Sequence, residues 1–472
     1  MDKKKQKPLD SAEMIAKERQ ELQDLSNKPF GARLKWYFSK SGPGWMQSAM
    51  TLGGGSAMAS LFAGAFVEYK LLWVQPVGML VGLACLAALA YQTMYTQQRP
   101  FEAMKKYVSP SMAWAWAICT VVATIIWHIP QYSLAAGMSL DIIEAFSGYD
   151  FAPGSWGQSI VLLLLAFFIL FMATRVVWSY GKGGRGVKVF ERIVKTLVWF
   201  IIFSFLIVVI AGSVRGGGIN WGDVGRGFLP FSFEGGFHFN IPTDKTGVTI
   251  FIAALSSAIG INMTFMFGYT LLRRGWTREY TGLQRFDMFT GMLIPFTIAT
   301  SLMIIAAGVA IHPSFDTSQT ALNPTQAASM LEAAGLPTLV SRLVFGLGIV
   351  GMCFNAITMH MVVCGFAVCE IFKIEHSGWK YKLATLLPAP ALLGVLFWSK
   401  IGPWIAIPTS AIAGLMIPVA YIGFFCLNNS KKFLGKDMPR GRVRFWWNLA
   451  MLIAIIVTVT SAVYFVITRF FT

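Results

Sequence analysis

The residues with the most distinctive chemical potential are small and polar groups set inside long apolar stretches. The first stretch, GPGWMQSAMTLGGGSAMASLFAG, carries Gly53, Gly54, Gly55 and Ser56 at its middle. Three adjacent glycines cost about 1 kcal/mol each relative to alanine in a helix, so we expect an unwound turn there. The backbone amides of such a turn could bind a carboxylate or another anion beside a helix N-terminus. Close packing of a neighbouring helix against the glycines is the alternative interpretation.

A second apolar stretch, TIFIAALSSAIGINMTFMFGYTLL, has a similar interruption, and its small and polar residues predict a break near 260–266. This break adds Asn262, Met263, Thr264 and Met266 to the candidate substrate-binding residues. Oxygens of Ser56, Asn262 and Thr264 could coordinate a weakly held hard cation. They would not readily strip water from Mg²⁺ or Mn²⁺.

Two histidines lie deep in apolar stretches, His128 in IIWHIPQYS and His360 in NAITMHMVV. Because a histidine inside a membrane can carry a proton, both are candidates for a proton relay. The alternative is a core histidine whose nitrogens are satisfied by neighbouring groups. The six cysteines show neither a CxxC pair nor interleaved histidines at zinc spacing, so we assign no metal site and no cofactor from them.

Composition indicates that these apolar stretches span a membrane. Hydrophobic residues make up 55% of the 472, and charged residues only 13%, against about 25% in soluble proteins. At about 20 residues per span, the chain has room for roughly eleven spans and no large soluble domain. The apolar runs are 45–66, 71–92, 111–139, 159–175, 189–211, 248–271, 286–311, 338–371, 381–398, 404–427 and 445–468.

The basic residues predict the direction of these spans. Of the 39 Lys and Arg residues, 32 fall on one side if the spans are numbered in this way. We therefore expect a cytosolic N-terminus, an external C-terminus and insertion in the plasma (inner) membrane. The formal charge of +17 does not indicate a nucleic-acid partner, because its cations are scattered among loops.

The spans suggest an organisation for the whole chain. Broken spans at corresponding positions in two halves are typical of secondary transporters built from inverted repeats. The predicted segments are a cytosolic N-terminal segment with a short helix over 11–25 (1–40), a first five-helix repeat (41–211), an external loop (212–247), a second repeat (248–427), a cytosolic loop (428–444) and an eleventh span with the C-terminus (445–472). The N-terminal helix could lie on the membrane, on the bundle or in solvent, and a further external helix is expected over 326–334.

The chain resembles the Nramp family of proton-coupled divalent-metal transporters over residues 42–468. The matching stretches are GPGWMQSAM at 42–50, YKLLWV at 69–74, GVKVFERIVK at 186–195, FGLGIVGMCFNAITMHMVVCG at 345–365 and SAIAGLMIPVAYIGFFCLNNSKKFLGK at 410–436. The resemblance implies an all-α membrane protein of the leucine-transporter type. Its architecture would be five-plus-five inverted repeats with an eleventh helix, and its first and sixth spans would be broken.

The sequence departs from this family at the metal-binding motifs. The family's Asp-Pro-Gly-Asn falls on Gly53–Gly54–Gly55–Ser56, and its Met-Pro-His falls on Thr264–Phe265–Met266 if Tyr269 anchors the alignment. A shift of register would bring Met263 or Met266 to the ligand position, and a family glutamine falls on Ser410. The resemblance implies metal-ion transport by alternating access, whereas the replaced ligands predict a diverged substrate.

Two alternative functions remain at this stage. One is transport of a small organic carboxylate or zwitterion bound by the Gly53–Ser56 amides and stacked against Trp127 or Phe265. The other is a receptor or scaffold that transports nothing. We do not expect an enzyme, because the sequence contains no HExxH, no GxSxG and no pair of acids inside an apolar stretch. The expected partners are the lipid bilayer and a small-molecule or ionic substrate, and the oligomeric state is left open.

Overall fold

The computed structural model describes residues 11–25, 28–180, 184–215, 218–233, 236–319, 321–397 and 414–470. In this part of the chain the secondary structure is almost entirely helical. The strands found there form one short hairpin, β1 (Phe231–Ser232) paired with β2 (His238–Phe239).

The helices of the first half are α1 (Ser11–Asp24), α2 (Phe30–Lys40), α3 (Pro43–Thr51), α4 (Gly54–Val67), α5 (Val74–Thr96), α6 (Pro100–Tyr107), α7 (Pro110–Ser147), α8 (Trp156–Tyr180), α9 (Gly184–Arg215) and α10 (Trp221–Gly227). Those of the second half are α11 (Lys245–Ser257), α12 (Ile261–Arg273), α13 (Thr281–Met288), α14 (Ile294–Ala310), α15 (Pro324–Ala333), α16 (Phe345–Ile371), α17 (Gly378–Thr385), α18 (Ile417–Asn428), α19 (Lys431–Leu434) and α20 (Gly441–Phe470).

Eight helical segments of the described chain are long and apolar enough to cross a membrane. The bent pair α3 and α4 makes a ninth. All nine coincide with predicted spans. Helices such as α8 and α20 expose large apolar side chains along much of their length, as expected of surfaces that face lipid.

The described part of the predicted ninth span, 381–397, is helical but is not one continuous α-helix. This segment forms the end of α17 and a 3₁₀ helix, Ala389–Leu396, instead of one long α-helix. Pro388 and Pro390 explain the difference, because proline lacks the amide donor and clashes with the preceding helical turn. The first ten residues of the predicted tenth span, 404–413, lie outside the described residues, and α18 follows them.

The predicted breaks in the first and sixth spans are both present, but their positions differ slightly. The first falls at Leu52 and Gly53, and Gly54 already begins α4. The sixth covers residues 258–260, so the expectation of a break over 260–266 is wrong by several residues. Gly260 ends the break because its extended backbone leads directly into α12, where the polar residues that follow are helical.

Close helix packing holds these elements in place. Helix α16 lies at the centre and packs against α7, α9, α12 and α3, while α14 packs against α4 and α9. A Cβ atom built at Gly64 of α4 would lie only 2.3 Å from the Ile304 carbonyl oxygen of α14. Small residues permit such approaches inside a membrane, where dispersion contacts replace the hydrophobic driving force.

Two predicted surface helices are located by specific contacts. Helix α1 lies on the bundle, where Glu18 forms an ion pair with Arg274 at 3.3 Å and Leu25 is buried. This resolves the alternatives of membrane, bundle and solvent in favour of the bundle. The helix expected over 326–334 begins two residues earlier as α15, because Asn323 caps its N-terminus through a hydrogen bond from the Thr325 amide.

Candidate substrate site

The first helix break is closed by a side chain of its own segment. Helices α3 and α4 are bent by 58° where Leu52 and Gly53 leave helical geometry. The Ser56 Oγ lies 2.6 Å from the Thr51 carbonyl oxygen and 2.9 Å from that of Gly53. The same Oγ accepts the Gly53 amide proton at 3.1 Å. Ser56 therefore satisfies backbone groups that the break would otherwise leave unpaired.

Helix α7 braces this break from the side. The Gly54 amide donates to Gln131 Oε1 at 2.8 Å, and Gln131 Nε2 donates to the Trp127 carbonyl oxygen at 3.2 Å. A Cβ atom at Gly54 would lie 2.3 Å from Leu134 Cδ1, so a larger residue would not fit without movement. The glycine run therefore permits both the turn and the close packing of α7 against it.

The second break is held by contacts of a similar kind. The Gly260 amide faces the Met263 sulfur at 3.3 Å, and Asn262 Oδ1 accepts the Met263 amide proton at 2.9 Å. Asn262 Nδ2 is buried and has no hydrogen-bond partner among the residues that the structure describes. The Trp127 indole packs so closely that a Cβ atom at Gly260 would lie 2.6 Å from two of its ring carbons. Trp127 therefore contacts one break and, through Gln131, supports the other.

A small cavity lies between the two breaks. It has a volume of about 40 Å³, which is room for roughly three water molecules. Its lining comes from α3, α4, α7, α11, α12, α16 and the two breaks: Met50, Thr51, Gly53, Gly55, Ser56, Trp127, Gln131, Ser256, Ser257, Gly260, Asn262, Met263 and His360.

The structure separates the predicted substrate-binding residues into two groups. Those that line the cavity are Gly53, Gly55, Ser56, Asn262 and Met263. Gly54 is instead bonded to Gln131, and the Thr264 hydroxyl faces Trp116, whose Nε1 donates to it at 3.0 Å. Met266 is fully buried in the core, and Ser410 lies outside the described residues.

Several lining residues were missed by the sequence reasoning. Gln131 lies three residues after His128 on α7 and could have been found from the apolar stretch that contains both, whereas Trp127 was expected only as a residue stacked against an organic substrate. Ser256 and Ser257 were noticed only as interruptions of the sixth span, and Met50 and Thr51 carry no signal that distinguishes them from ordinary core residues. Their role depends on the bend at Leu52, which turns the end of α3 toward the cavity.

The donors that face the cavity are neutral. Among the described residues, its lining contains hydroxyls, amides, thioethers and one imidazole, and it contains no carboxylate, lysine or arginine. Within the described ranges, no cluster of three or more His, Cys, Asp and Glu side chains could hold a metal ion. Any ion bound here would therefore rely on dipoles and lone pairs for its coordination.

The two buried histidines are in direct contact. His128 Nδ1 lies 3.3 Å from His360 Nδ1, and the ring centroids are 5.4 Å apart at an interplanar angle of 52°. The Tyr132 ring packs edge-on against His128 at 5.0 Å, and His128 Nε2 is buried without a hydrogen-bond partner in the described part of the chain. The sequence could not predict this contact between residues 232 positions apart. Their role as a proton relay stays a prediction.

Charged groups gather at the end of the bundle that bears the N-terminal helix. Asp287 accepts the amide protons of Gly42 at 2.9 Å and Gly44 at 2.6 Å, where a carboxylate complements the N-terminus of α3. Arg274 is buried and pairs with Glu18 and, at 3.5 Å, with Glu191. These contacts connect α1, α3, α9, α12 and α13, so they bind together the elements that close this end.

Two broken helices that face each other across a polar cavity, within a bundle of apolar spans, define an integral membrane protein of the leucine-transporter fold. This fold has five-plus-five inverted repeats followed by an eleventh helix. The chain belongs to the natural resistance-associated macrophage protein-like (Nramp) family, whose sequence pattern matches residues 44–468. No curated protein sequence matches the chain.

Solved structures agree with this fold. The Eremococcus coleocola manganese transporter, as a single-site mutant, superposes with a TM-score of 0.71 at 14% identity over 93% of this chain and 88% of that one. MhsT in complex with L-phenylalanine gives 0.58 at 16% identity, over 89% and 98% of the two chains. Mhp1, a nucleobase-cation-symport-1 family transporter, gives 0.53 at 12% identity, over 92% and 93%. At these identities the similarity shows the fold.

Proposed function

We propose that the protein is a secondary transporter that carries a metal ion by alternating access, with its substrate site in the cavity between the two breaks. The observation that carries this proposal is the position of that cavity. Irregular backbone is tolerated inside a membrane only where protein buries it or where it lines a cavity. Here both breaks border one polar cavity. The chain belongs to the Nramp family, and its structure is similar to that of a protein described as a manganese transporter.

We further propose that the substrate differs from the family's usual metal ions. Gly53 stands where the resemblance places an aspartate, and Ser56 stands where it places an asparagine. The Ser56 hydroxyl is already close to the carbonyl oxygens of Thr51 and Gly53 at the break. The described lining has no carboxylate, and it therefore offers little to a hard cation such as Mn²⁺, which favours charged oxygen ligands.

The carboxylate hypothesis finds less support. Two of the amides that would hold a carboxylate, those of Gly53 and Gly54, are bonded to Ser56 and Gln131. None of the described residues that line the cavity is cationic, so these residues offer an anion no countercharge. Uptake of amino acids alone would therefore contradict the metal-ion proposal.

The arrangement of charges supports a cytosolic location for the N-terminus. The ion pairs of Arg274 and the contacts of Asp287 lie at the end of the bundle that bears α1, and cytosolic ends of membrane proteins are rich in Lys and Arg. We propose that these contacts form a gate on the cytosolic side of the plasma (inner) membrane, and that transport requires them to separate.

An uptake screen in proteoliposomes tests the proposed function. Divalent cations, monovalent cations and amino acids would be offered separately, with and without a pH gradient. We expect saturable uptake of at least one metal ion and none of the amino acids. Uptake of amino acids alone would refute the metal-ion proposal, and the absence of any uptake would favour a receptor or scaffold.

A further inference from the structure

The loop between α9 and α11 carries a hairpin whose two faces differ in chemistry. Across its two strands Phe231 pairs with Phe239, and Ser232 pairs with His238. Successive residues of a strand point to opposite faces of a sheet. The hairpin therefore has phenylalanines on one face and polar side chains on the other.

Four aromatic rings form one cluster on the apolar side, the Phe face: Phe231, Phe233, Phe237 and Phe239. The centroids of neighbouring rings are 5.5–6.0 Å apart, within the usual range for aromatic pairs. Three of these rings are nevertheless exposed, with 71% of Phe233, 61% of Phe237 and 59% of Phe239 accessible. Soluble proteins rarely leave a contiguous apolar patch of this kind uncovered.

Hydrogen bonds fix the base of the hairpin at the end of a membrane span. Trp73 immediately precedes α5, and its indole N–H donates to the Asn240 carbonyl oxygen at 3.2 Å. Its amide donates to the Gly227 carbonyl oxygen at 2.9 Å. Phe237 lies three residues before Asn240, which corresponds to about 10 Å of extended chain. Since the headgroup layer is about 5–8 Å thick on each side of the hydrocarbon core, the Phe face lies within reach of the membrane interface.

The apolar surface continues from the hairpin onto neighbouring elements. Leu80 is exposed on α5, seven residues after Trp73 and so on the same side of the helix, as expected of a lipid contact. Trp221 at the start of α10 is also exposed, and tryptophan is enriched at membrane interfaces. Residues 227–243 contain one charged residue, Glu234. Because a carboxylate is costly in hydrocarbon, this composition suits the interface and not the membrane core.

We propose that the Phe face binds the lipid bilayer, with its rings at the boundary between headgroups and acyl chains on the side of the membrane opposite to α1. Ser232 and His238, on the other face, point toward water. This contact is a lipid-binding surface in addition to the spans, and it would hold in place the loop that leads into α11. It does not depend on the transport function, because a receptor or scaffold with the same hairpin would make the same contact.

Fluorescent probes on the full-length protein in nanodiscs test the two faces separately. One probe is attached through Phe237→Cys. The matched control is His238→Cys, at the adjacent exposed position on the opposite face. Phosphatidylcholine brominated on its acyl chains should strongly quench the probe at position 237, and iodide in the buffer should strongly quench the probe at position 238. Unsubstituted protein treated in the same way gives the background from native cysteines, of which Cys426 is exposed.

Two results of the quenching experiment would overturn the proposal. Equal quenching of both probes by iodide would show that the whole hairpin stands in water. Shielding of the probe at position 237 from both quenchers would place the Phe face against protein, either a second copy of the chain or the mouth of the transporter.

A photoreactive lipid tests the wild-type protein, so the result does not depend on the folding of the cysteine variants. Phosphatidylcholine with a diazirine near the glycerol end of its acyl chain should form adducts with residues 228–241. Helix α8 is the positive control, because it exposes large apolar side chains. Phe233→Ser combined with Phe237→Ser should remove most of the hairpin adducts and leave those on α8 unchanged. Adducts on α8 with none on the hairpin would refute the proposal, as would hairpin adducts that the double variant leaves undiminished.

Discussion

Replacing Gly260 by alanine should both destabilise the protein and reduce uptake. The backbone at this residue is extended, with φ −104° and ψ 157°, so alanine adopts it without conformational strain. The added Cβ atom would instead lie 2.6 Å from two ring carbons of Trp127 and 2.5 Å from Asn262 Oδ1. Favourable carbon–carbon contacts begin at about 3.5 Å, so the indole or the break must move by about 1 Å.

That movement should lower the stability of the folded protein. Overpacking of a well-packed core costs about 1–3 kcal/mol, and the indole here also lines the central cavity. We therefore expect Gly260→Ala to lower the free energy of unfolding by about 1–3 kcal/mol. Thermal unfolding of the purified protein, followed by intrinsic fluorescence, measures stability, and initial uptake rates in proteoliposomes measure function.

Two further variants separate steric overlap from the general effect of losing a glycine. Gly137→Ala, in helix α7, is the control, because nothing lies within 4 Å of its added Cβ atom. It should stabilise the helix by up to about 1 kcal/mol, the opposite sign. The double variant Gly260→Ala with Trp127→Phe should lose less free energy of unfolding than the two single variants lose together. The difference, which is the coupling energy, should be about 0.5–3 kcal/mol. Independent effects of the two substitutions, or wild-type stability in Gly260→Ala, would refute the packing of Trp127 against the second break.

The remaining predictions concern the ends of the bundle and the metal. Asp287→Asn should lower the free energy of unfolding by about 1.5–3 kcal/mol, because it weakens hydrogen bonds to two backbone amides at the start of α3. The control is Asp316→Asn, at an exposed position, which should have little effect in the same unfolding assay. Hydrogen bonds from Thr338 and Arg342 hold the pKa of Glu332 below its ordinary value of 4.5, so its contribution to stability is present above pH 4.5 and is lost as the pH falls through the lower folded pKa. Glu332→Gln should flatten that part of the stability profile in acid unfolding, and an unchanged acid limb would contradict the assignment. Calorimetry should show no micromolar binding of Mn²⁺, and detection of such binding would refute the interpretation of the replaced ligands.

The amphipathic and apolar patterns made most of the fold predictable. Nine of the spans follow from runs of apolar residues, because a helix is the simplest structure that satisfies its own backbone inside a membrane. The predicted ninth span departs from a single α-helix where Pro388 and Pro390 interrupt an apolar run, since hydropathy records side-chain polarity and not the missing amide donors. The position of the second break was also missed, because Asn262 and Thr264 are polar yet helical.

The sequence by itself determined that this is a multi-pass membrane protein with two interrupted spans, and it showed that no carboxylate occupies the glycine run. These properties depend on residue type and local spacing, which a linear chain displays fully. Only the tertiary structure decided that Ser56 closes its own break, that Gln131 and Trp127 serve the two breaks, and that His128 meets His360. Such contacts join residues far apart in the chain through the packing of α7 and α16, and no local pattern encodes which side chains that packing brings within bonding distance.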